Sequence, residues 1–435
     1  MNLYDVCYGE ETLHIPLPET FAVERYESYL CTEETVDLSQ RIREGLCEPS
    51  SAALIVQASS IAIIIDDNTR PTPSKRLLPL IIQEIHDRAT QKVSIFIVVA
   101  LGAHKKLSHE ELTQLVGSEI IQNYPVLNHE AENFAMLQDM GHTDHGTPVF
   151  VNKQVVQADL RILLGMIKPH NQAGYTGGGK AILPGVCAVE TIHANHSYHY
   201  MSSIKSRVGV LDGNPIRSDI DHVLPLLGPC MLMNVVMDRH EHLVDLVVGS
   251  DVVATHKRGA ALYDTFGKFP VRYLADVCLC GTPAPVDMNF YQMLNSLSCP
   301  HRQAEPIIKK GGTIVVYGRA AEGVSDADLY KALAQTPRST LHDQVFSSEP
   351  SFRDRPALQI FLECEQQYRI IVVTELKNLA LFANMGIEAY SVAQHEEVLQ
   401  SIVYHHGVNP KCFVLADAPY VILDNQTTRR NVCTG

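Results

Sequence analysis

Short, uninterrupted apolar runs alternate along this chain with stretches of helical spacing. Three of the runs, Ser60–Ile65, residues 93–100 and residues 161–167, are rich in Ile, Val and Leu. Runs of this kind are typical of strands that are buried on both faces of a parallel sheet. Helical spacing over residues 77–88 follows the first run, and a capping box at Ser108 predicts a helix after the second. This alternation predicts an α/β fold with parallel or mixed sheets.

Each of the three predicted strands ends in a loop of polar residues and glycines. The first loop contains Asp67 to Arg70, the second contains His104, and the third begins at Lys168 and His170. Parallel α/β sheets bind ligands at the carboxyl ends of their strands. We therefore expect the three loops to meet in one site.

A Pro- and Gly-rich junction near residues 281–285 divides the chain into two predicted α/β domains with an active-site cleft between them. The larger, N-terminal domain is predicted over residues 1–275 and to be rejoined by residues 413–435. The smaller, C-terminal domain is predicted over residues 285–412. A chain of 435 residues is longer than one hydrophobic core usually supports, which agrees with two domains.

Composition narrows the classes of partner. The net charge of −14 argues against nucleic acid, and no apolar segment is long enough to cross a bilayer, so neither nucleic acid nor a membrane is expected as a partner. The N-terminus lacks the features of a signal peptide. The 11 cysteines are odd in number and scattered through apolar runs, which favours a reduced, cytoplasmic setting.

The most unusual stretch combines three glycines with a lysine. Gly174-x4-Gly179-Lys180 matches most of a phosphate-binding P-loop, but Ala181 replaces the Ser or Thr that would bind magnesium, and Pro184 follows closely. A nucleotide-dependent enzyme that uses this loop and Lys180 therefore remains an alternative only. A different anion-binding glycine loop fits better, because exposed backbone N–H groups bind anions in many folds. A flexible loop with a surface lysine is the structural alternative.

Three histidines follow at three-residue spacing, as His193-x-x-His196-x-x-His199. This spacing places neighbours on one side of a helix, where they could bind a metal. The match to a three-ligand site is imperfect, so we expect one true ligand, with the other ligands supplied by a cofactor. A histidine-rich nickel-binding or storage protein without turnover is the non-enzymatic alternative.

The strand-end residues suggest proton transfer beside an anion site. Arg70 offers a guanidinium group suited to carboxylate or phosphate. His104 and His170 end different strands and could lie on opposite sides of a substrate as acid and base near neutral pH. Each feature also has a structural explanation, such as an Asp/Asn turn or a buried histidine.

Taken together, the spaced motifs resemble the nickel-dependent lactate racemase family, whose members use a nickel-pincer nucleotide. The resemblance runs from Asp67 to about residue 415. The motifs that carry it are the following: Asp67-Asn68-Thr69-Arg70-Pro71, His104, Lys168-Pro169-His170, Gly177-Gly178-Gly179-Lys180, Leu183-Pro184-Gly185, His196 and Tyr291-Gln292.

The resemblance implies a role for each of these residues. Lys180 would attach covalently to the cofactor, nickel-pyridinium-3,5-bisthiocarboxylic acid mononucleotide, and His196 would be the protein ligand of nickel. His104 and His170 would be the paired acid/bases of a racemase or epimerase that moves the C2 hydrogen of a 2-hydroxy acid as hydride. The other implied contacts are, for the cofactor, Asp67, Asn68, Thr69, Arg70, Gly177, Gly178 and Gly179, and, for the substrate, Arg70, Tyr291, Gln292 and Asn295. Separate biosynthetic proteins would supply the cofactor.

Two departures from the lactate enzymes bear on the substrate. Those enzymes carry a lysine, which helps to hold the carboxylate, where Asn295 stands here. They also carry a tryptophan where this chain, which has no Trp, has Pro356. We therefore expect a 2-hydroxy acid other than lactate, longer or more polar, with Arg355 or another cation compensating for the lost lysine.

Overall fold

The computed structural model describes residues 1–28, 36–240, 242–324, 327–347 and 355–426. Its strands are β1 Asn2–Gly9, β2 Glu11–Leu17, β3 Ala22–Tyr26, β4 Ser60–Ile65, β5 Ser94–Val99, β6 Val126–Asn128, β7 Leu137–His142, β8 Pro148–Asn152, β9 Leu160–Ile167, β10 Pro169–His170, β11 Gly174–Tyr175, β12 Cys230–Met237, β13 Leu243–Gly249, β14 Lys268–Val271, β15 Ala275–Pro283, β16 Ile308–Tyr317, β17 Arg369–Thr374, β18 Glu388–Ser391, β19 Lys411–Leu415 and β20 Ile422–Asn425. Its helices are α1 Leu38–Cys47, α2 Pro49–Gln57, α3 Ser74–Arg88, α4 His109–Val116, α5 Ser118–Asn123, α6 Lys153–Gln157, α7 Val189–Asn195, α8 Tyr198–Met201, α9 Pro215–Leu227, α10 Val252–Gly267, α11 Phe290–Arg302, α12 Ala327–Gln335, α13 Arg338–Val345, α14 Arg355–Gln367, α15 Leu379–Asn384 and α16 His395–His406.

The first sheet has six strands in the order β13-β12-β9-β4-β5-β6. All neighbours are parallel except β12 and β13. After β4, the chain continues to β5 and then to β6, which both lie on one side of β4 in the sheet. After β9, which lies on the other side of β4, the chain continues to β12. The boundary between β4 and β9 is therefore a topological switch point, where open α/β sheets form their ligand crevice.

The apolar runs form the middle of this sheet. Every residue of β9 is buried, and so are five of the six residues of β4. Both faces are covered: Ile63 contributes to one hydrophobic cluster and Ile64 to another. This two-sided burial explains why the strands are continuously apolar instead of alternating. The predicted capping box also forms, because the Ser108 hydroxyl accepts from Glu111 N and the Glu111 carboxylate accepts from Ser108 N.

The second sheet has eight strands. Its parallel core runs β18-β17-β16-β15, and β15 pairs with both β1 and β19. The hairpin of β1 and β2 and the strand β3, which pairs with β19, complete it. The predicted α/β class with parallel and mixed sheets is confirmed.

The strand pairings correct the predicted domain limits in two places. Residues 2–26 were assigned to the N-terminal domain, yet β1 to β3 lie in the second sheet. Residues 411–415 also lie there, as β19, and only β20 returns, to pair with β14. These pairings join segments some 270 residues apart for β1 and β15 and almost 400 residues apart for β3 and β19, so local hydrophobic pattern carries no information about them. Residues 427–435, part of the predicted return, lie outside the described residues.

An ion-pair network connects the two sheets. Arg239, in the turn after β12, pairs with Glu27 at the end of β3, and its Nε lies 3.7 Å from the fully buried Asp417 after β19. Asp417 also accepts a hydrogen bond from Ser28 N. This network fixes the chain around residues 417–421 against the first sheet. Among the described residues, no helix is both long and apolar enough to cross a membrane.

Candidate active site

The loop after β4 holds the histidine that follows β5. Asp67 is buried, and its Oδ2 lies 2.6 Å from Nδ1 of His104, while its Oδ1 accepts from the backbone and hydroxyl of Thr69. Burial alone would raise the pKa of Asp67, but the hydrogen bond and charge of His104, followed by the charge of Arg70, lower this pKa to about 2. The carboxylate is therefore ionised at neutral pH, and it holds the His104 proton on Nδ1, leaving Nε2 as an acceptor.

The loop after β9 presents a histidine in the opposite tautomer. His170 Nδ1 accepts hydrogen bonds from the backbone N–H groups of Gln172 (3.2 Å) and Ala173 (3.1 Å). A neutral ring that accepts at Nδ1 carries its proton on Nε2. Burial, then the charges of Lys180 and Arg70, hold the pKa of His170 well below its usual range. His170 is thus a neutral donor at Nε2, whereas His104 is an acceptor there.

The glycine loop is compact and rigidly supported. Gly177 (φ +74°) and Gly178 (φ +63°) adopt left-handed backbone, and a Cβ on Gly177 would lie 2.3 Å from Asn234 Oδ1. Gly178 N donates to the same Asn234 Oδ1 at 2.8 Å. Residues Gly178–Ala181 form only a short 3₁₀ turn before Pro184, so no helix continues from Lys180. The P-loop alternative requires such a helix and is not supported.

Two further buried side chains hold this loop through its carbonyl groups. Arg217 donates to the carbonyl oxygens of Ala173, Tyr175 and Gly177. His256 Nε2 donates to the Thr176 carbonyl at 2.8 Å. The loop therefore keeps one shape, which fixes the position of the Lys180 backbone.

We predict that Asn234→Leu lowers the free energy of unfolding by about 1–3 kcal/mol and misplaces Lys180. Leucine removes the acceptor of Gly178 N and leaves that buried N–H without a partner. Urea denaturation measures the first effect. A matched control is Asp245→Leu on the partly exposed edge strand β13, which is not in contact with the glycine loop; an equal loss of stability there would contradict the special role of Asn234.

Lys180 follows the three glycines of this loop and is only partly exposed. In the described part of the chain, its Nζ has no hydrogen-bond or ion-pair partner. Burial, then the charges of Arg217 and Arg70, hold the pKa of Lys180 well below its usual range. A lowered pKa increases the share of the amine that is neutral and nucleophilic at a given pH.

His196 lies close enough to Lys180 for their charges to interact. It is the C-cap of α7, and its Nδ1 donates to the Ile192 carbonyl at 3.1 Å, which leaves the Nε2 lone pair available. Burial, then Lys180, lower the pKa of His196 to about 3, so the ring is neutral. A neutral imidazole whose second nitrogen is fixed by a carbonyl is the usual form of a metal-ligating histidine.

The neighbouring histidines do not join His196. The helix α7 ends at Asn195, and His199 lies in the next helix, α8, so the three rings do not share one helical face as the spacing suggested. Within the described ranges, no group of three or more His, Cys, Asp or Glu side chains could hold a metal ion by itself. Any metal at His196 therefore needs ligands from elsewhere.

A cavity lies between the two sheets, and residues of both units line it. Its lining from the first-sheet side includes Thr69, Arg70, Lys168 and His170. From α11 of the second unit come Gln292, Asn295 and Cys299, at the i, i+3 and i+7 positions of one helix face. The predicted interdomain cleft is therefore present, and the loops after β4 and β9 meet in it.

Not every predicted site residue lines this cavity. Tyr291 packs against the core of the second unit, and the Asn68 side chain is exposed. The His104 side chain is 42% exposed and does not line the cavity. It hydrogen-bonds to Asp67, which in turn hydrogen-bonds to Thr69, and Thr69 lines the cavity. Arg355, the suggested compensating cation, donates instead to the carbonyl oxygens of Val345 and Ser347 and is 4% exposed, so that suggestion was wrong.

Sequence reasoning missed Asn234, Arg217 and His256. Asn234 is the one polar residue in the apolar run of β12, and this interruption was a usable signal. Arg217 and His256 lie on helices whose sequences look ordinary, and only the fold shows that they contact the glycine loop.

Comparison with known families agrees with this geometry. A model of the lactate racemase N-terminal domain matches residues 8–209, and a model of the lactate racemase C-terminal domain matches residues 273–423. The chain belongs to the lactate racemase family. Lactate racemases are isomerases, so the prediction of an isomerase is confirmed.

Individual members of the family resemble the chain over nearly its full length. The lactate racemase of Lactiplantibacillus plantarum is 29% identical over 402 residues, which cover 92% of each chain. The lactate racemase of Thermoanaerobacterium thermosaccharolyticum is 26% identical and covers 96% of this chain and 98% of its own.

Solved structures share the fold. The lactate racemase apoprotein of Thermoanaerobacterium thermosaccharolyticum superposes with a TM-score of 0.86 at 24% identity, covering 97% of this chain and all of the other. A protein from Thermotoga maritima gives a TM-score of 0.69 at 15% identity, over 92% of this chain. The two-unit α/β architecture is thus that of the lactate racemase fold.

Proposed function

We propose that this racemase inverts C2 of a 2-hydroxy acid with a nickel-pincer nucleotide as its cofactor. The proposal is carried by one observation: the Lys180 amine has no partner in the described part of the chain and lies close enough to His170 and His196 for their charges to interact. Lys180 would hold the cofactor covalently, and His196 Nε2 would complete the coordination of nickel. When bound, the cofactor accepts the C2 hydrogen of the substrate as hydride and returns it.

The metal ligands that the protein offers fit a nickel-pincer cofactor. A pincer cofactor brings its own sulfur and carbon ligands, so it requires only one protein ligand, and His196 is not part of a larger cluster within the described ranges. The rigid glycine loop and its supports, Asn234 and Arg217, orient the Lys180 amine for attachment. Asp67, Thr69 and Arg70 lie on the loop after β4, where they would contact the nucleotide.

The two histidines would manage the hydroxyl proton. Loss of hydride from C2 leaves a 2-keto acid only if the hydroxyl also releases its proton, and His104 Nε2 is ready to accept it while Asp67 stabilises the imidazolium that results. His170 donates from Nε2 to the substrate oxygen. For the opposite enantiomer, His170 would accept the hydroxyl proton at Nε2, which requires the other ring tautomer, with its proton on Nδ1 and without the hydrogen bonds from Gln172 and Ala173 N–H.

The cleft would also exclude water from the keto intermediate. His104 is 42% exposed, so the second unit, which carries Gln292 and Asn295, has to close over the cavity during turnover. The substrate is a 2-hydroxy acid other than lactate, since Asn295 supplies no charge to the cavity wall. Other proteins make and supply the cofactor.

The test uses protein produced in cells that carry the cofactor-making genes, with protein made without those genes as control. Single enantiomers of a panel of 2-hydroxy acids are incubated in D₂O and separated by chiral chromatography. We expect interconversion of at least one acid with its C2 hydrogen retained, because hydride returns without exchange. Incorporation of deuterium at C2 would indicate proton abstraction and refute the proposal, as would equal activity in the control.

The two alternatives receive less support. A nickel-storage protein needs several protein-only metal sites, and none of three or more ligands occurs among the described residues. A nucleotide-dependent enzyme would need a hydroxyl beside Lys180 to bind magnesium, and Ala181 occupies that position.

A further inference from the structure

Lys168 is a buried lysine that has no counterion in the part of the chain that the structure describes. It follows β9, its side chain lines the cavity, and the residue is 6% exposed. Its nearest recorded interaction is with the Tyr420 ring, whose centroid lies 4.6 Å from Nζ. Among the described residues, no carboxylate forms an ion pair with its ammonium group, and no acceptor forms a hydrogen bond with that group. Buried lysines are rare and costly unless they are paired, so this position calls for an anion that the chain itself does not supply.

The charges around the cavity support the same conclusion. Its lining includes the two cations Arg70 and Lys168 but neither Asp nor Glu. The nearby Asp66 is occupied, because its Oδ2 accepts from Thr72 Oγ1 (2.8 Å) and Met166 N (3.1 Å). Burial, then the charge of Arg70, lower the pKa of Lys168 to about 7. A bound carboxylate would restore the charged form and gain an ion pair in a desolvated site.

The cavity wall opposite Lys168 supplies only neutral groups. On α11, the Asn295 side-chain amide donates to the Gln292 carbonyl, so its remaining oxygen is an acceptor and not a carboxylate partner. The Tyr420 ring keeps the ammonium group in place through a cation–π contact. Tyr420 itself lies in the segment fixed by the Arg239–Asp417 network, so the position of Lys168 is supported from both units.

We propose that Lys168 binds the carboxylate of the 2-hydroxy acid substrate. This inference rests on the proposed function, and it assigns the carboxylate to a cation on the first sheet, at the carboxyl end of β9, instead of to α11. Because His170 lies two residues further on, the same loop then fixes both the carboxylate and the proton-transfer group. The substrate's C2 is thereby held at a constant distance from the His170 ring.

The test compares Lys168→Met with the wild type, both loaded with cofactor. Methionine keeps the length and apolar stem of the side chain and removes the charge. The probe is 2-hydroxy-2-methylpropanoate, which has no C2 hydrogen and cannot be turned over, and its Kd is measured by calorimetry. We expect the Kd to rise on the order of 30-fold or more, because the carboxylate loses its partner in a desolvated site. The kcat/KM should fall mainly through KM, while the mass of the Lys180 adduct and the nickel content stay unchanged.

Relocating the charge provides a matched control. The double variant Lys168→Met, Asn295→Lys places a cation on the opposite wall of the same cavity, and we expect it to recover at least a tenth of the lost affinity. Lys168→Arg should retain most of the binding.

Three results would overturn the inference. If Lys168→Met binds the probe as tightly as the wild type, Lys168 does not contact the carboxylate. If the variant loses the cofactor adduct, Lys168 serves the cofactor instead. If loaded wild-type protein binds no probe and interconverts no 2-hydroxy acid, the proposed function itself fails, and this inference fails with it.

Discussion

Replacing Lys180 with alanine should abolish covalent loading and reduce racemisation to the level of unloaded protein. Among the described residues the Lys180 amine has no partner, and burial together with the charges of Arg217 and Arg70 holds its pKa well below the usual range. A lowered amine pKa increases the share of the neutral, nucleophilic form at a given pH, and this share decreases as the pH falls.

A second substitution at Lys180 separates the loss of covalent attachment to the cofactor from the loss of the positive charge. Lys180→Arg keeps a cation of similar reach but offers no amine that can form the link, so it should lose the adduct as completely as alanine does. The exposed Lys205 provides a matched control, and Lys205→Ala should load normally. Intact mass spectrometry and nickel analysis of protein from cells with the cofactor-making genes measure both. Full nickel content in Lys180→Ala would favour the storage alternative and contradict our proposal.

The part of the fold that was predictable from sequence is the part that local pattern determines. The strands β4, β5 and β9 are continuous apolar runs because helices cover both of their faces, and each ends in polar residues that cannot be buried within the sheet. Since parallel strands share one carboxyl edge, Asp67, His104 and His170 could be placed near one another without any knowledge of the connections.

The parts that were not predictable depend on contacts between distant segments. The strand β1 forms a local hairpin with β2, and nothing in its sequence specifies pairing with β15, some 270 residues later. The support of the glycine loop by Arg217 follows from the position of α9, which the helix's own sequence does not encode. Lys168 was visible in the Lys-Pro-His motif, but only the cavity shows that it has no counterion.

The tautomers of the two histidines also required the structure. Sequence placed His104 and His170 symmetrically, as interchangeable acid/bases. The structure differentiates them, because one ring is held by an ionised carboxylate and the other by two backbone N–H groups. For enantiomers the overall equilibrium constant is one, so kcat/KM has to be equal in the two directions. The difference between the two histidines can therefore make kcat and KM differ between the two directions, but both constants then differ by the same factor.

The Asp67–His104 pair should also contribute to folding stability in a defined pH range. Because the folded-state pKa of Asp67 is about 2 and the ordinary value is 3.8, the contribution is fully present above the ordinary value and is lost as the pH falls towards 2. Over the neutral range Asp67 stays ionised, so any change of racemase activity with pH near neutrality reports on other groups.

His104→Ala should lower kcat by about 10²–10⁴ while the cofactor adduct and nickel remain in place. The variant removes the acceptor for the hydroxyl proton but should leave Lys180, His196 and the glycine loop in place, since among the described residues the His104 side chain hydrogen-bonds to Asp67 and to none of them. Asp67→Asn should lower kcat by a similar order, because the neutral amide no longer holds the His104 proton on Nδ1 or stabilises the imidazolium. The exposed His109, at the start of α4, is the matched control, and His109→Ala should turn over normally.

Together, the His104→Ala and Asp67→Asn variants test whether Asp67 acts through His104, and not merely whether the His104 imidazole is needed. If Asp67 acts through His104, then combining the substitutions should cost little more than His104→Ala alone, because residues that act as a unit are not additive. Additive losses would mean that Asp67 serves the nucleotide independently of His104. Normal turnover in His104→Ala, with the adduct confirmed by mass, would remove His104 from the mechanism and leave proton transfer to His170 alone.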